Sequence, residues 1–106
     1  MWVCFNDAFV SAVEDRNDPA RLCVRARKQE HLERLFPDIE VLQLPTTDYV
    51  FRVFVSKADF ATLVADRIEH IDYPNFKNSV RDEGLHELYE DFWELHYAYQ
   101  NDATGL

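Results

Sequence analysis

Glycine is almost missing from this chain, with two residues in 106. A glycine-rich loop that cradles phosphates is therefore excluded, and collagen-like or low-complexity order goes with it. Cysteine is as scarce: two residues cannot build a disulfide scaffold or a four-thiolate metal site, so Cys4 and Cys23 are expected as free thiols. No apolar run approaches the roughly 18 residues that span a bilayer. Residues 1–7 lack the basic and long apolar stretches of a signal peptide, and the expected setting is cytoplasmic, away from membranes. The sharpest absence is of positive charge, because residues 82–106 contain no lysine or arginine.

Apolar residues make up 47% of the chain and aromatics 14%, enough for one folded domain over residues 1–106. Twenty acids against eleven Lys and Arg leave a net charge of −9. Residues 1–81 hold 13 of the acids and all 11 bases, a mild −2. Residues 82–106 hold the other seven acids: Asp82, Glu83, Glu87, Glu90, Asp91, Glu94 and Asp102. A surface of this kind repels DNA and anionic lipid and attracts basic partners.

Hydrophobic periodicity predicts the order βββαββααα. Residues 2–5 and 8–13 flank Asn6-Asp7, a two-residue turn that pairs Val3 with Val10 and Cys4 with Phe9. The polar residues 14–19 read as a loop. Residues 21–27 alternate, with Leu22, Val24 and Ala26 on one face and Arg21, Cys23, Arg25 and Arg27 on the other. A short helix over residues 28–36 ends at Pro37. Strands follow over 39–44 and 49–55, the second placing Tyr49, Phe51, Val53 and Val55 opposite Val50, Arg52 and Phe54. Ser56 caps a helix with Phe60, Leu63, Val64, Ile68 and Ile71 as its apolar stripe. A short helix then begins near Pro74, and after a break at Gly84 the last helix runs over residues 85–100. The expected fold is α+β: an antiparallel sheet of about five strands, the N-terminal hairpin plus three, with helices on one face.

The last helix carries the leading candidate site. At roughly 100° per residue, Leu85, Leu88, Phe92, Leu95, His96 and Tyr99 share one arc. Glu87, Glu90, Asp91 and Glu94 share the opposite arc, with Trp93 and Tyr97 at its border. Acids near a helix start complement the dipole, but these four lie further along. They read either as a solvated surface or as a contact face for a basic protein, with Trp93 and Tyr97 as rim anchors. Helix geometry sets a carboxylate about every 5 Å of axis, near the ~3.4 Å phosphate spacing of a DNA strand.

Arg25, Arg27 and Arg52, with Arg21 and Phe54, form the alternative site, a basic sheet face able to hold a nucleotide or single-stranded RNA. The plain reading of that face is that Glu40 and other acids nearby neutralise it. Metal and enzyme readings are thinner. His86 and Glu90 are one turn apart and Glu69 adjoins His70, without HExxH or Cys/His spacing. His96 is expected in the core, and His31 and His70 at the surface. Neither cysteine opens a helix, and Ser11, Ser56 and Ser79 lack a nucleophile elbow. No catalytic residue, metal ligand or cofactor is assigned.

Residues 71–80 (IDYPNFKNSV), the opening WVCFNDAFVS, the central Val24-Arg25-Ala26-Arg27 and the pair Asp48-Tyr49 together resemble a family of small uncharacterised proteins of bacteria and their phages. The resemblance implies a cytoplasmic setting and residence in a phage or mobile element. By analogy of class it implies an inhibitor of host defence, of the anti-CRISPR kind, while the acidic arc of the last helix points to a basic, nucleic-acid-binding protein surface as its target. The expected function is therefore a non-enzymatic protein-binding module without direct DNA binding. Homodimerisation stays open, because both faces of the first hairpin carry apolar side chains.

Overall fold

Asn6 and Asp7 reverse the chain between β1 (Trp2–Cys4) and β2 (Phe9–Asp15), and the backbone N–H of Phe5 closes the turn on Ala8 O at 2.8 Å. Val3 then pairs with Val10 and Cys4 with Phe9, in the expected register. β3 (Asp18–Ala26), β4 (Leu42–Gln43) and β5 (Phe51–Ser56) complete an antiparallel sheet of order β1-β2-β3-β5-β4. The helices are α1 (Gln29–Leu35), α2 (Lys57–Glu69), α3 (Phe76–Ser79) and α4 (Glu83–Asn101). The fold is α+β in the order βββαββααα. This computed structural model describes residues 1–101, so Asp102 lies outside the described residues. The chain divides into two units, Met1–Asp72 and the segment from Tyr73 onward.

In the first unit, strand alternation builds the core. Val10 and Ala12 of β2, Val24 and Ala26 of β3, and Val53 and Val55 of β5 face one side and are buried there. Leu32 and Leu35 of α1, Phe36 and Phe60 of α2 join the same cluster, so α1 and α2 both cover that face. Val10, Val24 and Val53 are fully buried, each worth about 1.5–3 kcal/mol relative to exposure. The first turn is pinned from both helices: Arg67 forms a two-pronged ion pair with Asp7 at 2.9 and 3.0 Å, and Arg34 donates to Asp7 O at 2.8 Å.

Several local expectations are corrected. Residues 14–19 are not a loop, because β2 runs on to Asp15 and β3 starts at Asp18 across a two-residue turn. Asp15 accepts from the Asn17 N–H at 3.0 Å, and a register shift at Glu14/Asp15 leaves Pro19 unpaired with β2, where its missing N–H costs nothing. The strand expected over 39–44 shrinks to Leu42–Gln43 at the sheet edge. Ile68 and Ile71 are exposed, not part of the α2 stripe. Arg67 takes the central position of that stripe and lies over the Phe5 ring at 5.2 Å. Ile68 is about 80° round from Phe60, and Ile71 follows the helix end at Glu69. His31 is buried rather than superficial, its Nδ1 accepting from the Phe9 N–H at 3.2 Å, which ties α1 to β2.

In the second unit, Asn75 caps α3 through Asn78 N at 3.0 Å. Asp82 caps α4, accepting from the Leu85 N–H at 3.1 Å. This cap moves the helix start ahead of Gly84, so glycine sits in the first turn and causes no break. Aromatic rings link the two helices: Tyr73 to Phe76 at 6.0 Å, Phe76 to Tyr89 at 5.1 Å and Tyr89 to Phe92 at 5.9 Å.

Candidate functional site

The buried stripe of α4 is Leu85 and Tyr89, with Leu88 and Phe92 half-buried. From Trp93 to Asn101 every residue is exposed. Leu95, His96 and Tyr99 therefore leave the apolar arc expected of them. His96 is no core histidine, and it stacks beside Phe92 with the rings 6.5 Å apart. The covered stripe thus ends at Phe92.

The opposite arc is as the helical spacing predicts. Glu87, Glu90, Asp91 and Glu94 are exposed, and among the described residues their carboxylates make no hydrogen bond or ion pair. Trp93 and Tyr97, one turn apart, stack at 5.2 Å with their planes 20° from parallel. They remain 50% and 56% exposed, which leaves wide aromatic surface open. Glu90, Trp93, Glu94 and Tyr97 follow the i, i+3, i+4, i+7 spacing of one helix face. The Lys77 ammonium stands 4.5 Å from the Trp93 ring centroid, a contact that spacing within α4 gave no means to anticipate. The indole already holds a cation in its own unit, as a ring quadrupole flanked by carboxylates should.

The arginine face lies wholly in the first unit. Register sets Arg25 directly opposite Arg52 on neighbouring strands, and Leu42 opposite Arg52 on the far side. Arg21 and Arg27 are neutralised by acids, though not by Glu40. Arg21 meets Asp15 Oδ2 through Nε at 3.1 Å and Nη2 at 2.8 Å, and Arg27 meets Asp48 Oδ1 at 3.1 Å. The Arg27 guanidinium holds the Asp48 carboxyl below its usual range, with a weaker push from Arg25.

Arg25 and Arg52 have only neutral partners. Arg25 Nη2 donates to Ser11 Oγ at 2.8 Å, and Arg52 Nη2 donates to Thr47 Oγ1 and Tyr49 O, both at 3.1 Å. Both Nε atoms are buried without a hydrogen-bond partner, at a cost of about 1–3 kcal/mol each. Tyr49 compensates in part. Its ring takes the Arg25 guanidinium at 4.6 Å and that of Arg27 at 4.2 Å, each worth roughly 0.5–2 kcal/mol. Tyr49 was expected beside Phe51, Val53 and Val55, but β5 starts only at Phe51 and strand alternation does not reach it. Cys23 is buried on this face. Burial raises its thiol pKa, and the Arg52 and Arg25 charges oppose that rise.

Among the described residues, no group of three or more His, Cys, Asp and Glu could hold a metal ion, and no helix is long and apolar enough to cross a membrane. No family model, curated protein or solved structure matches the chain.

Proposed function

We propose that this chain is a non-enzymatic binding module whose α4 docks on a basic protein surface of the kind that otherwise holds nucleic acid. The observation that carries the reading is the shared arc of α4. Glu87, Glu90, Asp91 and Glu94 stand exposed and unpaired there beside the stacked, half-exposed Trp93 and Tyr97. Like charges one turn apart, Glu87–Asp91 and Glu90–Glu94, cost a helix a few tenths of a kcal/mol per pair. A basic groove converts that cost into attraction. Aromatic side chains at the edge supply contact area at low entropic cost. A phage or mobile-element inhibitor of a host nucleic-acid-binding protein fits this chemistry, because an acidic helix offers charge at a spacing near that of phosphates.

The test is displacement. A basic protein is captured from host lysate at low salt and purified, and labelled nucleic acid is titrated off it with the chain. The native chain is expected to displace nucleic acid, less effectively as salt rises. The Glu87→Lys, Asp91→Lys, Glu94→Lys triple variant should keep its circular dichroism spectrum and lose displacement by roughly a hundredfold or more. Undiminished displacement by a folded triple variant overturns the proposal.

A further inference from the structure

Arg25 and Arg52, both in the first unit, form a second feature, opposite in charge to the acidic arc of α4. Arg25 and Arg52 are cross-strand partners in the register, a like-charge pairing that sheets disfavour. The usual remedy is a shared carboxylate. Here Asp15 is engaged by Arg21 and Asp48 by Arg27, so the acids of this face are already committed. Arg21 shows what a guanidinium edge does when satisfied, with Nε and Nη2 both on one carboxylate oxygen. On Arg25 and Arg52 the same edge is half-filled, Nη2 on a hydroxyl or carbonyl and Nε on nothing. Among the described residues, their Nη1 atoms make no hydrogen bond. Two cross-strand arginines that hydrogen-bond to no carboxylate, with Asp48 acting on Arg25 only as a weaker charge, fit a group with several oxygens and close to two negative charges.

We infer that the Arg25–Arg52 pair binds the phosphoryl group of a small phosphate monoester. A phosphate monoester carries about −1.5 to −2 charge at neutral pH and so cancels both guanidiniums, whereas one carboxylate cancels one. Leu42, 42% exposed and in register with Arg52, offers apolar surface to the organic part of the ester. A polyanion is the poorer candidate, since the chain's net charge of −9 repels it while a single phosphoryl group feels mainly the local pair.

The Arg Nε–H signals in 15N-correlated NMR spectra report on these atoms directly. The full chain is titrated with inorganic phosphate, with a nucleoside monophosphate, with a short single-stranded RNA lacking terminal phosphates, and with chloride at matched ionic strength. Saturable shifts of the Arg25 and Arg52 Nε–H signals are expected with both phosphate and the monophosphate. The nucleotide should bind more tightly, and chloride should cause no saturable shift. Arg25→Gln and Arg52→Gln, which relieve a like-charge pairing, should stay folded and each weaken binding at least tenfold. Absence of saturation with both phosphate compounds, equal affinity in the folded variants, or binding of RNA alone would each overturn the inference. The α4 triple variant should bind the nucleotide unchanged, so failure here is distinguishable from failure of the docking proposal.

Discussion

Asp15 shows how much one side chain can decide. It closes the β2–β3 turn through Asn17 and carries the Arg21 ion pair, and its own side chain is 5% exposed. The Asn17 N–H, more than Arg21, holds its carboxyl below the ordinary aspartate value, although burial pulls the other way. A carboxyl whose pKa is lower in the folded state adds stability above the unfolded value, near 4, and loses it as pH falls through the folded value. Urea unfolding of native chain and Asp15→Asn should therefore differ most at about pH 6, with the gap closing below about pH 4. A gap that stays constant to pH 2 would show that the turn does not depend on the ionised carboxylate. Residues at this scale were only partly legible. Alternation along β3 placed Arg21, Arg25 and Arg27 together, because a strand has period two. Asp48, which pairs with Arg27, and Tyr49, whose ring takes Arg25 and Arg27, come from a segment whose path no periodicity encodes, and the burial of His31 against the Phe9 N–H has no signature in helical spacing.

Elements were more legible than residues wherever a local signal was self-sufficient. The Asn6-Asp7 turn set the first register, and Ser56 capped α2 through the Asp59 N–H at 3.0 Å. Signals failed where a competing interaction lay nearby. Glycine at position 84 suggested a break, yet the Asp82 side chain starts the helix before it. That position has room: a Cβ there would meet only Asp82 Oδ1, at an ordinary 3.6 Å, and its backbone is not in the left-handed region. Gly84→Ala should thus stabilise the protein by about 0.5 kcal/mol through reduced freedom of the unfolded chain. Differential scanning calorimetry should show a midpoint higher by roughly 2–4 °C, and a lowered midpoint would contradict the helical geometry assigned to the first turn. The stripe of α4 was legible through Phe92 and misread beyond it, because spacing reports which residues share a face and not how far that face is covered.

At the scale of the whole molecule, charge divides by segment in a way that separates two uses of salt. The last 25 residues carry seven acids and no base, so within the chain their repulsion is long-range and screened readily. The ion pairs of the first unit are either exposed, as Lys57–Glu14 and Arg27–Asp48 are, and worth little, or short and partly shielded, as Arg67–Asp7 is at 2.9 Å. Raising salt from about 0.05 to 0.5 M shrinks the Debye length from roughly 14 to 4 Å. It should therefore relieve more repulsion along α4 than it removes attraction in the sheet. The unfolding midpoint is expected to rise by about 1–4 °C, while binding of α4 to a basic protein weakens over the same range. Scanning calorimetry and displacement titrations across one salt series test both signs together. A falling midpoint would mean that the ion pairs outweigh the acidic face, and salt-independent binding would remove electrostatics as the basis of docking. Opposite signs from one variable are what a charged contact face predicts, since the carboxylates that burden the free helix are the ones a basic partner relieves.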